Sequence, residues 1–332
     1  MNLKKGAAVL LVMSCLMTGC TSSAKTEDGK DVVATLENGD NKKTIFADDL
    51  YKKVIESTSN KSTVFNAVLQ NLIDKKFPIN DDMKEEADNI IEQVESYYEN
   101  NYGDDYEETL NEALTSSGYK DLDDYRQKMI QQIQYANFLL DYIDNNYDSV
   151  FDDYFKQCSP KYVSIIKVAV ADMSNPTDEE TSKLNEVTEL LTNTDKSFGA
   201  IAQDYSDDDS ASKKGNIGIV DSADTNGLKN TYSETIINEV NNLSEDQTSA
   251  AISGDDGYYF IKVTSTNYDK IKKDLKDTDI DSPLLAYDNY LQYVVFDSYK
   301  ITYDDKEIKS IVESAVKEAL AERTKERGDN NG

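Results

Sequence analysis

Asp204, Asp207, Asp208 and Asp209 crowd into six residues of a chain that contains no histidine at all. Without imidazole there can be no Ser-His-Asp or Cys-His triad and no ordinary zinc site. The acidic run invites a calcium reading, but its spacing fails the EF-hand loop. Asp209 stands where that loop needs glycine, and Gly215 stands where it needs the closing glutamate. A solvated loop is the better description of Asp207–Gly218. Cys158 has no base to activate it and reads as a half-buried filler. The chain is rich in tyrosine, which offers apolar contact with a polar tip. No cofactor and no metal are called for.

The charge balance narrows the partners. Aspartate and glutamate outnumber lysine and arginine 64 to 35 over 332 residues, a formal net charge of −29. Such a chain repels nucleic acid phosphates and anionic lipid alike. Membrane attachment would therefore have to be covalent. Lys4 and Lys5, the apolar stretch Ala7–Val12 and Met17-Thr18-Gly19-Cys20 form a secretory signal over 1–19. Its end resembles the lipobox of bacterial lipoproteins, with Met17 where leucine is usual. Cleavage before Cys20 and lipidation of its thiol would anchor the chain on the extracellular face of the cell membrane. With Cys15 removed and Cys20 lipidated, Cys158 is left alone, and no intramolecular disulfide can form.

Periodicity places these residues on elements. A lipidated tether spans 20–30, and Asp31–Glu37 reads as a strand turned by Asn38-Gly39. Apolar residues at helical spacing predict four helices: one through Val64–Ile73 ended by Pro78, one stopped near Gly103, one over Tyr106–Ser116, and one striped from Leu122 to Ile143. The character changes at Ser159-Pro160. Val163–Val170 is a buried strand, Asp178–Leu191 and Phe198–Gln203 are helices, Tyr232–Val240 is a further helix, and Gly257–Thr264 returns to strand. After Pro283 helices resume, followed by a strand-like Lys300–Tyr303 and a helix capped by Asp304 or Asp305. That last helix has an apolar stripe without a neighbour in sequence, so it must pack on the N-terminal helices, which makes the middle segment an insertion.

Four ordered motifs in that insertion carry a resemblance to the parvulin-type peptidyl-prolyl isomerases, over about Lys161–Thr266. They are Val163-Ser164-Ile165-Ile166-Lys167-Val168; Phe198-Gly199-Ala200-Ile201-Ala202-Gln203-Asp204-Tyr205-Ser206-Asp207-Asp208; Gly215-Asn216-Ile217-Gly218; and Gly257-Tyr258-Tyr259-Phe260-Ile261-Lys262-Val263. With the lipobox and the helical flanks, the whole resembles the PrsA-like extracytoplasmic foldases of Gram-positive bacteria. The implied fold is α+β: a mostly helical, SurA-like chaperone domain from 31–158 and 283–325, with an inserted parvulin-like domain at 159–266 holding a small mixed sheet, and a disordered tail at 326–332.

The resemblance also implies a site. Ile217, Leu228 and Tyr232 would form the apolar cup for a proline ring, and Asp208 would take the catalytic Cys/Asp position beside the amide. Ile165 and Tyr259 replace the family's paired histidines, so isomerase activity is expected to be weak or lost. The expected partners are unfolded exported proteins, met through tyrosines and aliphatic side chains, with a homodimer as a further option. The alternative is a non-enzymatic surface lipoprotein that binds a defined partner.

Overall fold

A computed structural model describes residues 25–27, 30–38, 41–47, 51, 61–277 and 279–329. The expected signal, Cys20 and Gly39 lie outside them. The expected N-terminal strand is present as Lys30–Asn38, paired antiparallel with Asn41–Phe46. Its other edge takes Lys25–Glu27, so part of the segment read as a tether is a third strand.

The chain divides into two compact units. One holds the described residues up to Leu139 together with those from Tyr290 onward. Its helix Lys61–Lys76 stops just before Phe77-Pro78 and buries Val64, Phe65, Leu69 and Ile73. Helix Asp81–Tyr102 is started by Asn80, whose side chain accepts from the Met83 N–H at 2.9 Å. Met83, Ala87, Met129, Ile130 and Ile133 close a core between this helix and Leu122–Asn145, and Arg126 pairs with Asp88 beside it.

The C-terminal helix Lys306–Asp329 does pack on Lys61–Lys76. Lys61 pairs with Glu318 at 3.6 Å. Phe65, fully buried, stacks on Tyr293 at 4.6 Å and meets Phe296 edge-on at 5.1 Å. Asp305 caps the terminal helix by accepting from the N–H groups of Glu307 and Ile308. The helix continues to Asp329, four residues into the segment expected as a tail. Lys300–Tyr303 is not a strand, because it finds no ladder partner among the described residues. Ile301 and Tyr303 instead line a groove of about 480 Å³ with Val312 and Val316.

The second unit runs from Leu140 to Asn289. Its sheet has the order Asn216–Val220, Lys161–Ala169, Gly257–Ser265, Ile252–Ser253. Every pairing is antiparallel, which corrects the expected mixed sheet. The central strand is buried on both faces because its side chains alternate between two cores. Ile166 and Val168 join Phe260, Val187 and Phe198 under helices Asp178–Asn193 and Phe198–Tyr205. Val163 and Ile165 face the other way, onto Tyr259, Ile261 and helix Glu234–Asn242.

A helix missing from the sequence reading, Tyr147–Cys158, completes this unit. Its Tyr154 hydroxyl donates to the buried Asp221 at 3.0 Å, and Asp221 also accepts from the N–H groups of Ala223 and Thr225 and the Thr225 hydroxyl. Cys158 is buried outright rather than half-buried.

Candidate functional site

The two-residue period of the sheet decides what meets what. In the register, Ile165 faces Ile261 and Lys167 faces Tyr259, so Ile165 and Tyr259 are diagonal neighbours on one face. That face is the one roofed by Ile236, Ile237 and Val240. Ile217, Leu228 and Tyr232 pack against the same cluster and stay partly exposed. The five apolar and aromatic residues named from the sequence are therefore brought together. Ile165 and Tyr259 are buried within the cluster, while Ile217, Leu228 and Tyr232 form its partly exposed apolar edge.

Asp208 bonds to Tyr232 at the edge of this cluster, whereas Asp207 does not reach it. Asp207 is tied to the far side, accepting from the Ala169 N–H at 2.9 Å and pairing with Lys183 at 2.6 Å. Asp208 starts a 3-10 turn over Asp209–Lys213 within the segment expected as a solvated loop. Its Oδ1 accepts from the Ser210 N–H at 2.9 Å, from the Ser210 hydroxyl, and from the Tyr232 hydroxyl at 3.3 Å. Its Oδ2 takes no protein hydrogen bond among the described residues. Three donors to one oxygen fix the orientation of the carboxylate.

The expected helix Tyr232–Val240 is broken. Lys229–Tyr232 and Glu234–Asn242 are separate helices, joined at Ser233 with φ 69° and ψ 157°. That conformation is nearly closed to side-chain-bearing residues. It leaves Tyr232 at the end of a short helix, with its hydroxyl on Asp208 and its ring edge-on to Tyr259 at 6.5 Å. Burial, and then Asp208, push the Tyr232 hydroxyl above the ordinary tyrosine range, so it remains a donor.

Tyr259 is spoken for elsewhere. Its hydroxyl donates to Asp256, and Lys167 both pairs with Asp256 and lies over the Tyr259 ring at 5.7 Å. Burial, and then Asp256, raise its ionisation as well. Its ring is accommodated by Gly254, where a Cβ would come within 2.7 Å of Cε2. Gly215 (φ +79°) lets the preceding loop run close against the strand Lys161–Ala169, since a Cβ there would meet the Ile165 carbonyl at 2.4 Å. Ser210, Lys167 and Asp256 were not singled out from the sequence. The strand register, which puts Lys167 across from Tyr259, was the signal available for two of them.

An apolar cluster edged by a hydrogen-bonded carboxylate can hold an apolar ring beside a polar group, which suits a reaction that breaks no covalent bond. Rotation about an amide is one. Residues 166–265 match the family described as the PPIC-type PPIase domain, a rotamase. The chain thus carries a parvulin-type rotamase domain. Over 86% of its length it is similar to the crystal structure of PrsA from Bacillus subtilis, at 23% identity, 98% coverage of that chain and a TM-score of 0.37. It is similar over 85% to foldase protein PrsA from Streptococcus pneumoniae (18% identity, 99% of that chain, TM-score 0.41). A third similar structure is the peptidylprolyl isomerase PrsA from Bacillus cereus (19% identity, 86% of this chain and 98% of that one, TM-score 0.33). No curated protein sequence matches the chain. Among the described residues, no helix is long and apolar enough to cross a membrane.

Proposed function

We propose that this chain is an extracytoplasmic foldase, held to the outer face of the cell membrane by a lipid on Cys20, that binds unfolded exported polypeptides. Its rotamase domain takes prolyl segments in the cup of Ile217, Leu228 and Tyr232 and turns them over slowly. The observation that supports this reading is the Tyr232–Asp208 hydrogen bond at the edge of the apolar cluster that Ile217, Leu228 and Tyr232 pack against. The amide barrier to be lowered is ~18–20 kcal/mol, and only interactions stronger with the twisted amide than with the planar one lower it. Here the polar set is small. Ile165 offers no polar atom, and the Tyr259 hydroxyl is committed to Asp256. Slow turnover with client binding retained follows from that set.

Suppression of aggregation of a denatured secreted enzyme by the purified chain tests the foldase reading. Protection at stoichiometric excess is expected, and none would refute it. The same two features, Ile165 and the Tyr259–Asp256 bond, favour a second reading as a non-enzymatic lipoprotein with one defined partner. Cross-linking at the outer membrane face separates the two: many exported chains for the foldase, one species for the alternative. Radiolabelled palmitate on the wild-type chain but not on Cys20→Ala tests the anchor.

A further inference from the structure

Several tyrosines elsewhere on this molecule lie under its own lysines. Lys270 lies 3.6 Å from the Tyr162 ring centroid, Lys272 5.3 Å from Tyr268, Lys196 5.6 Å from Tyr205 and Lys76 5.4 Å from Tyr299. The tip of the helical hairpin formed by Asp81–Tyr102 and Tyr106–Ser116 breaks that pattern. Residues 85–119 contain five tyrosines, eleven aspartates and glutamates, and no lysine or arginine. Among the described residues no cation lies over Tyr97, Tyr98, Tyr102, Tyr106 or Tyr119.

These rings form a surface. Tyr98 stacks on Tyr102 at 5.5 Å and meets Tyr97 edge-on at 5.5 Å. Tyr97 and Tyr102 are 44% and 47% exposed, two of only four large hydrophobic side chains so exposed among the described residues. The carboxylates of Glu95, Glu99 and Glu107 lie near Tyr106, whose hydroxyl donates to Glu107 at 3.4 Å. None of these three pairs with a lysine or arginine among the described residues.

We propose that this hairpin tip is a docking surface for cationic, extended segments of other polypeptides, with arginine or lysine over the tyrosine faces and the glutamates around them. The charge argument selects this occupant. Aromatic faces attract ammonium and guanidinium groups, and a surrounding ring of carboxylates adds to that attraction. A second copy of this chain would bring a like-charged tip against it, and an anionic lipid surface would be repelled. The inference rests on the foldase reading and names its client chemistry: clients are first held by their basic stretches.

The test uses fluorescence anisotropy of the full chain with a labelled peptide of arginines spaced by glycine and serine, and with its glutamate counterpart. Binding of the arginine peptide alone is expected, weakening as salt rises. Tyr97→Ala/Tyr102→Ala should weaken it about tenfold. Tyr97→Phe/Tyr102→Phe, which keeps the ring faces, should stay within about twofold of wild type. Both pairs are exposed, and a helical circular dichroism spectrum checks their fold. Equal affinity of the alanine variant, equal binding of the glutamate peptide, or concentration-dependent self-association in place of peptide binding would each overturn the proposal. If the alanine variant still protects a basic client from aggregation as well as wild type does, this inference falls and the foldase reading stands. If wild type protects no client, the foldase reading falls.

Discussion

The Tyr232 hydroxyl and Asp208 Oδ1 lie 3.3 Å apart, and this contact joins the apolar cup to a carboxylate. Tyr232 contributes to the cup with its ring and to the carboxylate with its oxygen. Replacement by phenylalanine removes only the second contribution. Tyr232→Phe should therefore lower kcat/KM for a prolyl tetrapeptide about two- to tenfold, the worth of one hydrogen bond, with KM nearly unchanged. Tyr232→Ala also opens the cup and should raise KM as well. Steady-state rates for the two variants distinguish these effects.

Ser233 holds a backbone conformation that costs about 1–3 kcal/mol for a residue with a Cβ. Ser233→Gly should remove most of that cost while adding the smaller entropy of a more flexible unfolded chain. The expected gain is about 1 kcal/mol, read as a higher urea midpoint at unchanged m. A loss of stability would show that the serine geometry is not strained.

Tyr154 gives a pH signature. Burial, and then Asp221, raise its ionisation well above the usual range. The folded state keeps this proton where the unfolded chain, titrating near pH ~10, gives it up. Its contribution is whole below about pH 10 and declines as pH rises further, by at most about 1.4 kcal/mol per pH unit. Tyr154→Phe should cost about 1–3 kcal/mol at pH 7, because buried Asp221 loses a donor, yet show a shallower decline above pH 10. Urea unfolding at pH 7, 10 and 11 checks both signs.

Phe65 bridges segments more than two hundred residues apart by its contacts with Tyr293 and Phe296. Phe65→Ala should destabilise the helical unit by about 3–5 kcal/mol. Amide exchange should then rise in Lys61–Lys76 and Leu291–Asp297 together. A rise confined to one of them would contradict their shared core.

Much of this was legible in the sequence where a local rule and a tertiary need agree. Pro78, Gly103 and Gly118 mark helix ends, and the unpartnered stripe of the last helix required a distant neighbour. Ile217 and Tyr259 lie in the four motifs, while Leu228 and Tyr232 came only with the family resemblance, and all four meet at one apolar cluster. Tyr147–Cys158 was lost although Val150, Phe151, Tyr154 and Cys158 share a helical face, because its partners Asp221, Tyr268 and Tyr287 lie far downstream. The break at Ser233 has no composition signal, since serine there adopts a glycine-like backbone. Lys300–Tyr303 alternates like a strand, but alternation cannot supply a pairing partner. The choice among Asp207, Asp208 and Asp209 depended on who else claims each carboxylate, and Lys183 and the Ala169 N–H claim the first.

Cis–trans exchange of a prolyl tetrapeptide, followed by NMR in the presence of the full chain and of Asp208→Ala, tests the site most directly. Wild type should accelerate exchange above the uncatalysed rate, and Asp208→Ala should bind the peptide with similar affinity while losing about tenfold or more of that acceleration. Equal exchange rates for the two proteins would remove Asp208 from the mechanism and contradict the assignment of this cup as a working rotamase site.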